Sequence, residues 1–247
     1  ATYSYELNNK KAPFDNVNVR KALNLSLDRN VITDKVLGQG QTPTYVFTPT
    51  YIEEGQLIQQ PAYSKEPMAQ RNEELLEEAG YSKANPLKFS ILYNTNENHK
   101  KVAIAAASMW KANTKGLIDV KLENQEWKTY IDSRRAGRYD AARAGWNADY
   151  NQATTFGNYF LSNSSNNTAK YANPEYDKAI AESYVATDAE GRAKAYAKAE
   201  EILAKDFGIV PIFNYVNPRL VKPYVKGYSG KDPQDHIYLR NLYIIKH

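Results

Sequence analysis

Arg143, Trp146 and Asp149 stand three residues apart in the string RAGWNADY, residues 143–150. A guanidinium binds a carboxylate side-on, an indole offers a flat apolar cover, and a carboxylate takes an ammonium group. A free peptide carries both terminal charges on one molecule. A short peptide laid across this string would meet a partner at each end. The same residue types also suit a half-buried strand end with ordinary ion pairs, and spacing alone does not separate the two readings.

Other chemistries find little support. The 3 histidines, His99, His236 and His247, lie far apart, and cysteine is absent. That leaves no thiolate nucleophile, no disulfide and no Cys/His metal cluster. No HExxH, phosphate loop, dinucleotide fingerprint or GxSxG elbow occurs. Carboxylate pairs such as Asp140 and Asp149 arise by chance among 28 acidic residues. No metal, no cofactor and no catalytic group is therefore expected, and the chain reads as a binder, not an enzyme.

The net charge of +4 is spread without a Lys/Arg tract, which argues against nucleic acid. No run of 18 apolar residues exists, so no membrane span is expected. The opening ATYSYELNN reads as a processed chain or a cut piece. Tyrosine is abundant, 20 of 247 residues, and gives large amphipathic contact area at low entropy cost.

The elements that would position these groups follow from periodicity. Residues 2–8 alternate as a strand, Tyr3 and Tyr5 on one face, Ser4 and Glu6 on the other. Residues 17–27 read as a helix; Asp28 caps a second one that stops at Gly38. Residues 40–66 form a long irregular excursion. From Pro67 the order is helix 67–79, strand 87–93, helix 98–113, strand 117–122, helix 126–134 and strand 139–145. The economical solution is α/β, a mostly parallel sheet with helices on both faces.

A polar loop at 163–167 and two further helices follow, one starting near Pro174 and one capped by Asp188. Residues 208–216 read as a strand that Pro211 pushes to an edge or a bulge. The last 30 residues are expected to hold two short strands, near 220–228 and 237–245, with too little apolar content to fold alone. In α/β folds ligands gather beyond the carboxyl ends of the strands. Three such ends present His99, Trp127 and the Arg143–Asp149 set. Each also has a plain structural explanation: His99 as a helix cap, Trp127 as core, Arg134 paired with Asp132 or Glu126.

Several long strings carry more. NQEWKTYIDSRRAG (124–137), RYDAARAGWNADYN (138–151), LSNSSNNTAKY (161–171) and YVNPRLVKPYVKGYSGKDPQDHIY (215–238) resemble the periplasmic oligopeptide-binding proteins of Gram-negative ABC peptide importers. YNTNENHKK (93–101) and NLYIIKH (241–247) fit the same pattern. A relative that binds murein tripeptides shares much of it and is the alternative. A hydrolase on the same scaffold is the rival of another class.

The resemblance implies one lobe of a type II periplasmic-binding-protein fold with a mixed, mostly parallel sheet, about half of a longer chain. Residues 1–216 would be the ligand-binding lobe and 217–247 a tail returning to the other lobe. It implies a periplasmic protein that takes peptides of about 2–5 residues and delivers them to an inner-membrane ABC permease. Asp149 would hold the peptide amino terminus. Arg143 and His99 would meet the carboxylate at different peptide lengths. The backbone of Gly145, Trp146 and Asn147 would pair with the peptide main chain as an added strand. Trp127, Arg134, Trp146 and Tyr215 would line roomy side-chain pockets. Asn147 stands where the family commonly has cysteine, which makes the adjoining pocket more polar.

Overall fold

The structure, a computed structural model, describes residues 1–61, 71–230, 232 and 235–246. Its centre is a six-stranded sheet. The strands are β1 (Thr2–Leu7), β2 (Thr42–Pro43), β3 (Leu87–Asn94), β4 (Ile118–Gln125), β5 (Ala141–Trp146) and β6 (Ile209–Asn214). Their order is β2-β6-β1-β5-β3-β4. β3 runs parallel to both β4 and β5. β1 lies antiparallel between β5 and β6, and β2 is antiparallel to β6. Four strands therefore point one way and two the other. The sheet is mixed, and its parallel pairs fall in the strand–helix–strand region that the sequence pattern identifies.

Helices cover both faces. On one face α1 (Val17–Leu25) and α3 (Glu97–Asn113) pack on the sheet. Tyr3, Tyr5 and Leu7 of β1 meet Val19, Leu23, Val102 and Trp110 there, all buried. The Trp110 indole N–H donates to Leu23 O at 2.8 Å and ties the two helices together. On the other face lie α4 (Trp127–Arg135), α6 (Pro174–Val185) and α7 (Ala189–Lys205). A short buried turn of helix, α5 (Thr154–Gly157), sits beneath them. Alternation decides which side chain goes where: Leu92 and Ala142 face α4, while Ile91 and Ala141 face α3.

Local signals place most boundaries. Asn96 caps α3, its carboxamide accepting from the N–H groups of Asn98 and His99, so His99 is not the cap. Asp188 caps α7 and Asn173 caps α6 ahead of Pro174. The Asp28 carboxylate accepts from Val31 N–H, but the segment it opens, Val31–Leu37, is a π-helical turn that ends at left-handed Gly38. α2 (Asn72–Glu78) is the described part of the helix expected at 67–79; residues 67–70 lie outside the described residues. At Pro211 the β1–β6 register slips by one residue, the expected bulge. The strands expected in the tail are β7 (Val225–Lys226) and β8 (Tyr243–Ile244), a separate two-stranded ladder.

Candidate functional site

β3, β4, β5 and β6 all end at the same edge of the sheet, where β1 begins. The register makes this explicit: Thr2 is opposite both Trp146 and Asn214. Side chains from four strand ends are thereby gathered on one rim. β5 is the strand that matters most. It pairs with β3 only at Ala141 and Ala142. From Arg143 to Trp146 it continues beside β1 alone. Among the described residues, the backbone of Arg143–Trp146 has no ladder pairing on its β3 side, where the Tyr130 hydroxyl donates to Arg143 O.

Arg143 lies on the Tyr3 side of the sheet, its guanidinium 5.2 Å from the Tyr3 ring centre. Its Nη2 donates to the Tyr215 hydroxyl at 2.5 Å. His99 packs on the same ring, centroid to centroid 5.5 Å. Burial, and then the neighbouring Arg143 charge, push His99 down to about 3, so its imidazole is neutral. The buried Nδ1 of His99 and Nε of Arg143 have no hydrogen-bond partner among the described residues. Tyr3, Tyr215, His99 and Arg143 form one cluster with a fixed charge and a neutral ring, suited to an anionic group. A cavity of about 210 Å³ opens beside it, lined by His99, Asn96, Gln39 and Tyr215.

Beyond β5 the chain turns outward. Trp146 is half-buried; its ring meets Tyr159 edge to face at 4.8 Å, and its indole N–H donates to Thr155 O at 2.8 Å. Asn147 and Asp149 are exposed. The Asp149 N–H donates to Thr155 Oγ1 at 3.1 Å, and that hydroxyl donates back to Asp149 Oδ2 at 3.3 Å. A cavity of about 810 Å³ borders Asn147, Tyr215 and Tyr51. A third cavity, of about 850 Å³, between Lys21, Lys198 and Phe207, is remote from the strand ends and holds none of these residues.

Two sequence readings need correction. Trp127 is not core: it is 52% exposed and stacks on Tyr130 at the rim. Arg134 pairs with neither Asp132 nor Glu126. Its Nε and Nη2 both reach Glu6, at 3.1 Å each, with side-chain exposures of 11% and 1%. Tyr159 donates to Glu6 Oε1 at 2.5 Å and Thr168 donates to Oε2, so the carboxylate is fully enclosed. Arg134 therefore reaches the rim indirectly, through the Tyr159 ring under Trp146. Glu6, Tyr159 and Thr155 escape sequence reasoning. Glu6 reads only as one of the polar positions of the β1 alternation, and Thr155 leaves no trace.

The pattern of "Bacterial extracellular solute-binding proteins, family 5 Middle" matches residues 1–168. Over 249 aligned positions the chain is 96% identical to the periplasmic oligopeptide-binding protein OppA of Haemophilus influenzae, covering 100% of this chain and 46% of that one. It is 44% identical over 250 positions to the periplasmic murein peptide-binding protein MppA of Escherichia coli, again 100% of this chain and 46% of that one. A crystal structure of Haemophilus influenzae OppA in complex with RPPGFSPFR superposes with a TM-score of 0.92 at 94% identity. That match covers 99% of this chain and 48% of the other. The chain spans about half the length of the curated relatives it matches.

Proposed function

The chain belongs to the bacterial extracellular solute-binding proteins, family 5, and from that premise we propose that it supplies one lobe of a periplasmic peptide-capture protein. Its fold is a single lobe of the type II periplasmic-binding-protein kind. The captured peptide is handed to an inner-membrane ABC permease for import. Recognition uses what every peptide has, its backbone and its two terminal charges, and no residue is assigned a catalytic role.

The observation that carries this reading is the half-open end of β5. Past Ala142 the strand is paired on one side only among the described residues. A peptide can add there as a strand, paired with Gly145, Trp146 and Asn147. Such pairing fixes direction and register without reading side chains. Asp149 then takes the α-ammonium group. Arg143 and His99, on the other side of the open stretch, take the carboxylate at different peptide lengths, Arg143 by charge and His99 by a neutral N–H. Trp127, Trp146 and Tyr215 wall the side-chain pockets, with Arg134 acting from beneath through Tyr159. Water in roomy pockets makes the side chains matter less than the termini.

The OppA with 94% identity to this chain is described with the peptide RPPGFSPFR, which extends the expected ligand length above 2–5 residues. Identity of 96% to an oligopeptide binder against 44% to a murein-peptide binder favours linear oligopeptides. Residues 217–247 would pack on the second lobe; their exposed Leu220, Leu239 and Ile244 support that placement.

The test is titration calorimetry with a free-ended tripeptide, on a chain of the relatives' full length carrying this sequence. Asp149→Ala is expected to weaken binding by about 2–5 kcal/mol, because closure would leave the ammonium desolvated without its anion. Unchanged affinity removes Asp149 from the role. A peptide shortened on prolonged incubation would favour the hydrolase reading instead.

A further inference from the structure

Thr155 touches both the anion and the aromatic cover of the proposed peptide site. Its hydroxyl accepts from the Asp149 N–H at 3.1 Å and donates to Asp149 Oδ2 at 3.3 Å. Its carbonyl accepts the Trp146 indole N–H at 2.8 Å. Thr155 itself is 5% exposed, whereas Asp149 is exposed, three residues past the end of β5.

The turn that carries Thr155 is firmly seated. Thr154 Oγ1 and the Tyr196 hydroxyl are 2.6 Å apart. The Tyr176 hydroxyl donates to Gly157 O at 2.7 Å. Phe156 is fully buried, and a Cβ on Gly157 would come within 2.7 Å of Ile180 Cδ1. α5 is thus locked into the core formed by α6 and α7, and through Thr155 that core reaches Asp149.

Resting on the peptide-binding reading above, we infer that Thr155 is a positioning residue: it holds the Asp149 carboxylate in the orientation that receives the ligand ammonium. An exposed carboxylate samples several rotamers, and each must be frozen on binding. Tying one oxygen and the backbone N–H to a rigid hydroxyl removes part of that cost before the ligand arrives.

Thr155→Val keeps the shape, the carbonyl and the Trp146 bond, and deletes only the hydroxyl. Thr155→Ser restores a hydroxyl. Trialanine binding is measured by calorimetry on a chain of the relatives' full length, in the wild-type and Asp149→Ala backgrounds. Thr155→Val is expected to weaken binding about tenfold in the first, the worth of a hydrogen bond to a charged group, and to add nothing in the second. Thr155→Ser is expected to stay within about twofold of wild type. The inference is overturned if Thr155→Val changes nothing, if it costs the same factor in both backgrounds, or if Thr155→Ser is as weak as Thr155→Val. If Asp149→Ala alone binds like wild type, the ammonium assignment falls, and this inference falls with it.

Discussion

Glu6 and Arg134 lie 128 residues apart in sequence and meet side-on, two bonds of 3.1 Å joining the carboxylate to the guanidinium. Both side chains are buried, and Tyr159 and Thr168 supply the remaining donors to Glu6. A buried pair of this kind adds little net stability over an apolar pair, but breaking it is costly because one charge stays behind in the interior. Arg134→Leu leaves the Glu6 carboxylate, 1% exposed, without its cation. The expected loss is about 3–5 kcal/mol. Urea unfolding followed by circular dichroism should show the midpoint falling steeply with an unchanged slope. A midpoint close to wild type would mean that the two hydroxyls alone satisfy Glu6.

His99 is expected to make the folded state acid-sensitive. Its ordinary value is 6.5, and burial followed by the Arg143 charge pushes it down to about 3. Below 6.5 the unfolded chain takes up a proton that the folded chain refuses until about pH 3. This contribution to stability is therefore complete above 6.5 and is lost as pH falls through that window. One proton sets its slope at no more than about 1.4 kcal/mol per pH unit. His99→Asn should flatten the fall in unfolding free energy between about pH 6 and pH 4, where the unfolded-state histidine is protonated. The check is urea unfolding at a series of pH values, and equal slopes in the two proteins would refute it.

Much of this arrangement is legible in the sequence because its causes are local. The alternation of Leu87, Phe89, Ile91 and Tyr93 marks a strand, and Asp188 marks the start of a helix, from neighbours a few residues away. What escapes is long-range. Tyr3 sits opposite both Gly145 and Phe213, and nothing near residue 3 announces either partner. That the sheet is mixed follows from the resemblance, but the insertion of β1 between β5 and β6 is invisible for that reason. Arg134 is given Asp132 and Glu126 by proximity in the chain, while the fold gives it Glu6. Trp127 reads equally as core or as a strand-end residue, and its place at the first turn of α4 turns it outward over Tyr130. The positions of Asp149, Arg143 and His99 by the strand ends are legible because β5 and α3 fall within two residues of where periodicity puts them.

Gly145 shows how the strand makes room for its own arginine. Residues 143 and 145 share a face of β5, so the Arg143 side chain runs over Gly145 to reach Tyr215. A Cβ on Gly145 would lie 3.0 Å from Arg143 Nη2 and 3.3 Å from the Tyr215 hydroxyl. Tyr215 is poorly placed to yield: its ring is packed on Phe213 and Tyr3, and its N–H donates to Ala1 O. Arg143 is the flexible partner and is expected to move, breaking the 2.5 Å bond to Tyr215. Gly145→Ala should therefore leave stability within about 1 kcal/mol, since the displaced atoms end a mobile side chain. It should weaken peptides whose carboxylate reaches Arg143 by about tenfold, the worth of a charge-assisted bond. Peptides long enough to extend past Arg143 should lose less. Calorimetry with trialanine and with pentaalanine on the full-length protein reads this difference directly, and an equal loss for both lengths would show that the substitution disturbs the strand rather than the arginine.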